Sequence, residues 1–117
     1  MQAFRTIVDI PASNFGIDYR KKILFIGSCF TENIGNRLAS LRFPVDINPF
    51  GVLYNPLSVK NSLELLLQDY RFSENDLRCF NDLWYSFYHH NDFLHQNKAE
   101  YIKKINRRIE KSAGFVK

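Results

Sequence analysis

Ser28 has more potential chemistry around it than any other residue. It directly follows Gly27, after the apolar run Ile23-Leu24-Phe25-Ile26, and precedes Cys29-Phe30-Thr31 and a helical pattern. A serine between a buried strand and a helix N-terminus sits at the strand's carboxyl end, where ligands bind in open α/β sheets. Free N–H groups in the first turn of that helix, including that of Cys29, can stabilise a developing oxyanion. Ser28 is therefore a candidate nucleophile. The same residue type is also a common N-cap, and such a loop can hold an anion without chemistry. A nucleophile further needs a base and a group that orients the base. The Cys29 thiol can be acidified by the helix N-terminus, but the expectation is a small apolar side chain facing the core.

Asn48-Pro49-Phe50-Gly51 is a second candidate. Asn48 can donate an amide N–H, and Gly51 lets a backbone N–H approach a ligand closely. The pair reads equally well as a turn residue and a turn glycine. A third group gathers Ser86, His89, His90, Asp92 and His95. Paired histidines near an aspartate suggest a base or a metal site, but the spacing matches no zinc signature. The alternative is a surface or loop-packing role. His90 is kept as a pocket-lining candidate, because aromatic-rich segments with a few polar groups commonly line pockets.

These residues need elements to position them. Ile23–Ile26 reads as a strand buried on both faces, typical of a parallel sheet between helices. Ile34, Leu38 and Leu41 follow at helical spacing, and Gly35 leaves room for close approach. Residues 43–48 alternate and predict a second, edge-like strand. Asn55-Pro56 opens a helix as N-cap and first helical residue, with Val59, Leu63, Leu66 and Leu67 as its apolar face. Ser73 to Asp76 has the form of a capping turn. Residues 77–88 are aromatic and ambiguous, and predict a strand or a hairpin turning at Asn81-Asp82. Asn97 caps a last helix from Lys98 to about Ala113, with Ile102, Ile105 and Ile109 inward, Gly114 as C-cap and Phe115-Val116 opening another strand. Thr6–Ile10 predicts a short edge strand stopped by Pro11.

The composition sets limits. The 117 residues suit one domain. With 45% hydrophobic and 24% charged residues the chain is ordinary globular material, not a disordered one. Eleven Phe among 15% aromatics need a sizeable core or a partner. Two cysteines make neither a disulfide scaffold nor a four-cysteine zinc site. No apolar run approaches the roughly 18 residues of a membrane span, and the N-terminus lacks the apolar stretch of a signal peptide. A soluble cytoplasmic protein is expected, without a membrane partner and without a cofactor. The net charge of +4 comes mostly from Lys98, Lys103, Lys104, Arg107, Arg108, Lys111 and Lys117. It reads as a solvated helix face, and no nucleic-acid partner is expected.

One strand buried on both faces, with lesser strands and three helices, does not close an α/β core. Residues 1–117 are therefore expected to form the N-terminal part of a single larger domain.

Gly27-Ser28-Cys29-Phe30, Glu32-Asn33-Ile34-Gly35, Asn48-Pro49-Phe50-Gly51 with Asn55-Pro56, and Trp84-Tyr85-Ser86-Phe87 with His90 resemble the GSCFA family. Thr31 stands where the family's naming motif has Ala. This family is bacterial, common in Bacteroidetes, and related to SGNH (GDSL-type) hydrolases. The resemblance implies a three-layer α/β/α domain with a parallel sheet, incomplete in this chain. It implies that Ser28 matches the nucleophile, and Gly51, by chain order, the oxyanion glycine. The family's later Asn and its Asp-x-x-His block have no match here and are expected beyond Lys117. The implied activity is hydrolysis or transfer of an ester-linked acyl group on a small molecule or carbohydrate. This chain is expected to be inactive alone. The rival reading is a non-catalytic carbohydrate- or protein-binding module of the same fold.

Overall fold

The structure is a computed structural model and describes residues 4–117. Its first unit is a strand–helix–strand: β1 (Ile23–Phe25), α1 (Cys29–Ser40) and β2 (Val45–Ile47). The strands pair in parallel, with Ile23 opposite Val45, Leu24 opposite Asp46 and Phe25 opposite Ile47. A parallel pair needs a crossover, and α1 supplies it. Gly35 is what lets helix and strand meet. A Cβ there would lie 2.8 Å from Ile47 Cγ1, closer than carbon atoms pack.

After a turn at Asn48–Gly51 comes α2 (Pro56–Leu67), capped by the Asn55 side chain with Pro56 at its first position. The hairpin is β3 (Arg78–Phe80) and β4 (Leu83–Tyr85). Asn81 and Asp82 both take positive φ, 49° and 60°, as a two-residue type I′ turn requires. The last element, α3 (Lys98–Val116), is capped by Asn97 and supplies much of the core. Its buried stripe is Tyr101, Ile105, Ile109, Ser112 and Ala113, at helical spacing. Tyr101, Ile105 and Ile109 pack with Phe50, Leu66, Phe72, Leu77 and Phe93. The chain is thus mixed α/β with a parallel strand pair, as the sequence implies.

Two polar clamps tie α3 to distant chain. Asn106 accepts the Phe72 N–H at 2.8 Å and donates to the Phe72 carbonyl at 2.9 Å, as a neighbouring strand would. Arg108 donates to Asp46 at 2.7 Å and to the Ile47 carbonyl at 2.8 Å, and also to the Ser112 hydroxyl. Burial alone would raise the Asp46 carboxyl. The Arg108 guanidinium and the Ser112 hydroxyl overcome this and hold it below its ordinary value.

Several expectations are corrected. Residues 6–10 form no strand and are fully exposed. The radius of gyration, 17.8 Å, exceeds the about 13 Å of a compact chain this long. β1 is half-buried and pairs only with β2 among the described residues. On α1 the buried residue is Gly35, while Ile34 and Leu41 of the expected apolar stripe are 42% and 47% exposed. On α2 only Leu66 and Ser62 are buried, and Leu67 is exposed. The last helix runs through Gly114 to Val116, so Phe115 and Val116 are helical and do not open a strand. No helix of the described residues is long and apolar enough to cross a membrane.

Candidate functional site

The carboxyl end of β1 is held by one asparagine. Asn48 donates its backbone N–H to the Phe25 carbonyl at 2.7 Å, and its Oδ1 accepts the Gly27 N–H at 2.9 Å. To do both it takes a positive φ of 43°, which Asn tolerates better than most residues. The Gly27 carbonyl accepts the Leu53 N–H at 2.9 Å. Both polar backbone groups of Gly27 are therefore used by the 48–53 segment. Asn48 is 6% exposed, and its Nδ2 is buried without a hydrogen-bond partner.

Ser28 follows as the N-cap of α1, half-buried, with extended backbone. Its Oγ accepts the Phe30 N–H at 3.3 Å. No imidazole or carboxylate is hydrogen-bonded to that oxygen among the described residues. The first-turn N–H groups of α1 have no intrahelical acceptor, as at any helix start. The Cys29 side chain is exposed, so the expectation that it faces the core is corrected. A helix start turns successive side chains outward, and residue 29 falls on the water side.

Gly51 closes a turn by donating its N–H to the Asn48 carbonyl at 2.8 Å. Its φ is +81°, and a Cβ there would come 2.4 Å from His90 Cβ. Glycine is required on both counts. The His90 N–H donates to the Phe50 carbonyl at 2.8 Å, which lays the 86–91 loop along this turn. The His90 Nδ1 accepts the Asp92 N–H at 3.3 Å and lies 3.1 Å from the Asp92 carboxylate. His90 caps the short 3-10 turn Asn91–Phe93 and does not bond Ser28.

The three histidines do three different things. His95 is exposed, and its Nδ1 accepts the Asn97 N–H at 2.9 Å. His89, expected in a polar loop, is instead packed among Phe50, Phe72 and Phe93, with ring centroids 5.1, 4.8 and 5.1 Å away. Its Nδ1 is 2.7 Å from Ser86 Oγ, and its Nε2 is buried without a partner. Burial pushes His89 down to about 3, so the ring is neutral near pH 7. Ser86 is 2% exposed, and its backbone N–H donates to the Tyr101 hydroxyl at 3.0 Å. The Ser86–His89 pair is thus a brace whose serine is buried, while the His89 ring also borders the groove beside residues 52–58. Among the described residues no group of His, Cys, Asp or Glu side chains could hold a metal ion.

The segments carrying Ser28, Asn48, Gly51 and His90 therefore meet around one strand end. All four lie within residues 22–117, which the family model described as GSCFA family matches. The chain belongs to the GSCFA family. No curated protein and no solved structure matches it.

In this GSCFA chain the matched region begins at Lys22, so the exposed N-terminal stretch lies outside it. The motif segments make contact through backbone groups: Gly27 with Asn48 and Leu53, and Phe50 with His90. Two parts of the GSCFA framework have no local signal. Arg108 reads in sequence as part of a solvated helix face, yet it anchors the strand that leads into Asn48. Tyr101 lies one turn before Ile105 on the buried stripe, and its hydroxyl accepts the Ser86 N–H. The one available hint is Asp46 itself, a carboxylate between two apolar residues of a short strand, which has to find a cation if buried.

Proposed function

We propose that this chain carries the nucleophile of a serine acyl hydrolase or acyltransferase, with Ser28 Oγ attacking an ester carbonyl. The observation that carries the reading is the buried, unpartnered Asn48 Nδ2, held by its own Oδ1 against the residue before Ser28. A buried amide without an acceptor is costly unless something supplies one. An oxyanion forming at the start of α1 is such an acceptor, shared with the Ser28 and Cys29 N–H groups. Gly51 shapes the turn that holds Asn48, its own N–H being donated to the Asn48 carbonyl.

In this reading the general base comes from chain beyond Lys117, and residues 1–117 alone turn over slowly or not at all. A cytoplasmic setting, in which the free thiols Cys29 and Cys79 stay reduced, is part of the same proposal.

The test is hydrolysis of p-nitrophenyl acetate by the product of the whole reading frame. Ser28→Ala is expected to lower kcat about a thousandfold or more, with the buried Ser86→Ala as a control. Full turnover by Ser28→Ala refutes the assignment.

One observation favours a second reading. Ser28 Oγ is engaged only as a helix cap. A binding module of this fold without chemistry needs nothing more from it.

A further inference from the structure

We infer that the groove between residues 52–58 and the 87–91 loop is a binding site for an uncharged sugar ring. It is a shallow, open concavity of about 340 Å³, of the kind that meets one face of a ligand rather than surrounding it. Three rings line it with much of their surface in water: Tyr54 is 75%, Phe87 78% and Tyr88 40% exposed. Single exposed rings are normal, but three around one concavity mark a contact surface. Two are braced from behind. Phe87 meets Tyr85 edge-on at 5.7 Å, and Tyr88 leans on Phe72 at 5.8 Å. Such rings offer contact area at low entropic cost.

Neutral hydrogen-bonding groups stand among the rings. Asn55 Oδ1 accepts the Leu57 N–H at 2.8 Å, which leaves the Asn55 NH₂ without a role in the cap. Ser58 brings a hydroxyl and Asn91 an amide. No Lys, Arg, Asp or Glu of the described residues lines the groove. This mixture selects one chemistry. An acyl chain makes no use of amides and hydroxyls. The imidazoles of His89 and His90 complete the lining, and an anion finds no lysine or arginine here, whereas a separate groove on α3 offers it Lys103, Lys104, Arg107 and Lys111. A sugar ring has an apolar C–H face for the aromatic rings and hydroxyls for the neutral donors and acceptors.

The groove adjoins the Ser28 turn. Leu53 on one wall donates to the Gly27 carbonyl at 2.9 Å, and His90 on the other packs against Gly51. That the bound sugar carries the ester rests on the Ser28 reading above; sugar binding itself does not.

Calorimetric titration of the full chain with cellohexaose, xylohexaose and mannohexaose, and with decanoate as the acyl probe, tests this. At least one neutral oligosaccharide is expected to bind. Tyr54→Ala and Phe87→Ala are each expected to weaken it about tenfold. Phe80→Ala, which removes an exposed ring outside the groove, should leave it unchanged. Melting curves confirm that each variant is folded. The proposal is overturned if no oligosaccharide binds at about 10 mM, if both ring variants bind as the wild type does, or if decanoate alone binds. Sugar binding that survives in a protein whose Ser28 proves unreactive overturns the nucleophile and upholds the groove.

Discussion

Asn48 Oδ1 accepts the Gly27 N–H at 2.9 Å, so a side chain at the end of β2 fixes the turn that presents Ser28 at the end of β1. The two residues lie 21 positions apart, and this side-chain bond joins the backbone bonds from Asn48 to Phe25 and from Leu53 to Gly27. Asn48→Ala removes the acceptor, leaves the Gly27 N–H unsatisfied and places Ala at positive φ. The expected loss is about 2–4 kcal/mol, from an unmade buried hydrogen bond and a left-handed backbone. Urea unfolding measures it; a loss under about 0.5 kcal/mol, within the range of surface substitutions, contradicts the role.

Gly51 and Gly114 should respond oppositely to alanine. Gly51→Ala meets both a φ of +81° and the His90 side chain, and should cost at least about 2 kcal/mol. Gly114 lies inside α3 with nothing within 4 Å of an added Cβ. Its alanine variant should gain about 0.5–1 kcal/mol. Thermal melts of the two variants check the contrast, and similar shifts for both would contradict the packing described.

The caps at Ser28, Asn55 and Asn97, the Gly51 turn and the Asn81-Asp82 hairpin were all legible in sequence, because each is decided by residues within one turn of chain. What sequence did not disclose is decided at long range. Arg108 and Asp46 are 62 residues apart, and nothing near Arg108 separates it from its solvated neighbours Arg107 and Lys111. Gly114 reads as a helix stop by propensity, but the helix continues through it, with the Phe115 ring under Lys22 Nζ at 5.7 Å. At the candidate site, residue types and chain order pointed to Ser28, Asn48 and Gly51. That Asn48, not a helix or a metal, joins the strands' ends needed coordinates.

The Asp46–Arg108 pair should show the asymmetry of buried ions. Removing one partner, as in Arg108→Met, leaves a buried carboxylate and should cost about 3–5 kcal/mol. The double variant Asp46→Leu with Arg108→Met should recover much of that loss. A double-mutant cycle by urea denaturation reads the coupling, and strictly additive losses would contradict it.

His89 makes stability fall on mild acidification. Its folded value lies near 3 against 6.5 when unfolded. Between those values the unfolded chain binds a proton that the folded chain does not. Its share of stability is therefore intact above pH 6.5 and is lost as pH falls towards 3, at about 1.4 kcal/mol per pH unit. Asp46, also lowered, adds its loss only below the ordinary carboxylate value of 3.8. Unfolding free energies at pH 7, 6 and 5 should fall in the wild type and flatten in His89→Leu. An equal slope in both proteins assigns the effect elsewhere.

The central claim is that Ser28 is an activated nucleophile. The most direct measurement is peptide mapping of the whole reading frame's product after treatment with a fluorophosphonate, beside its Ser28→Ala variant. The account predicts one adduct, on the peptide containing Gly27-Ser28-Cys29, and none in the variant. An adduct that persists in Ser28→Ala, or a wild-type protein that takes up no label, contradicts it.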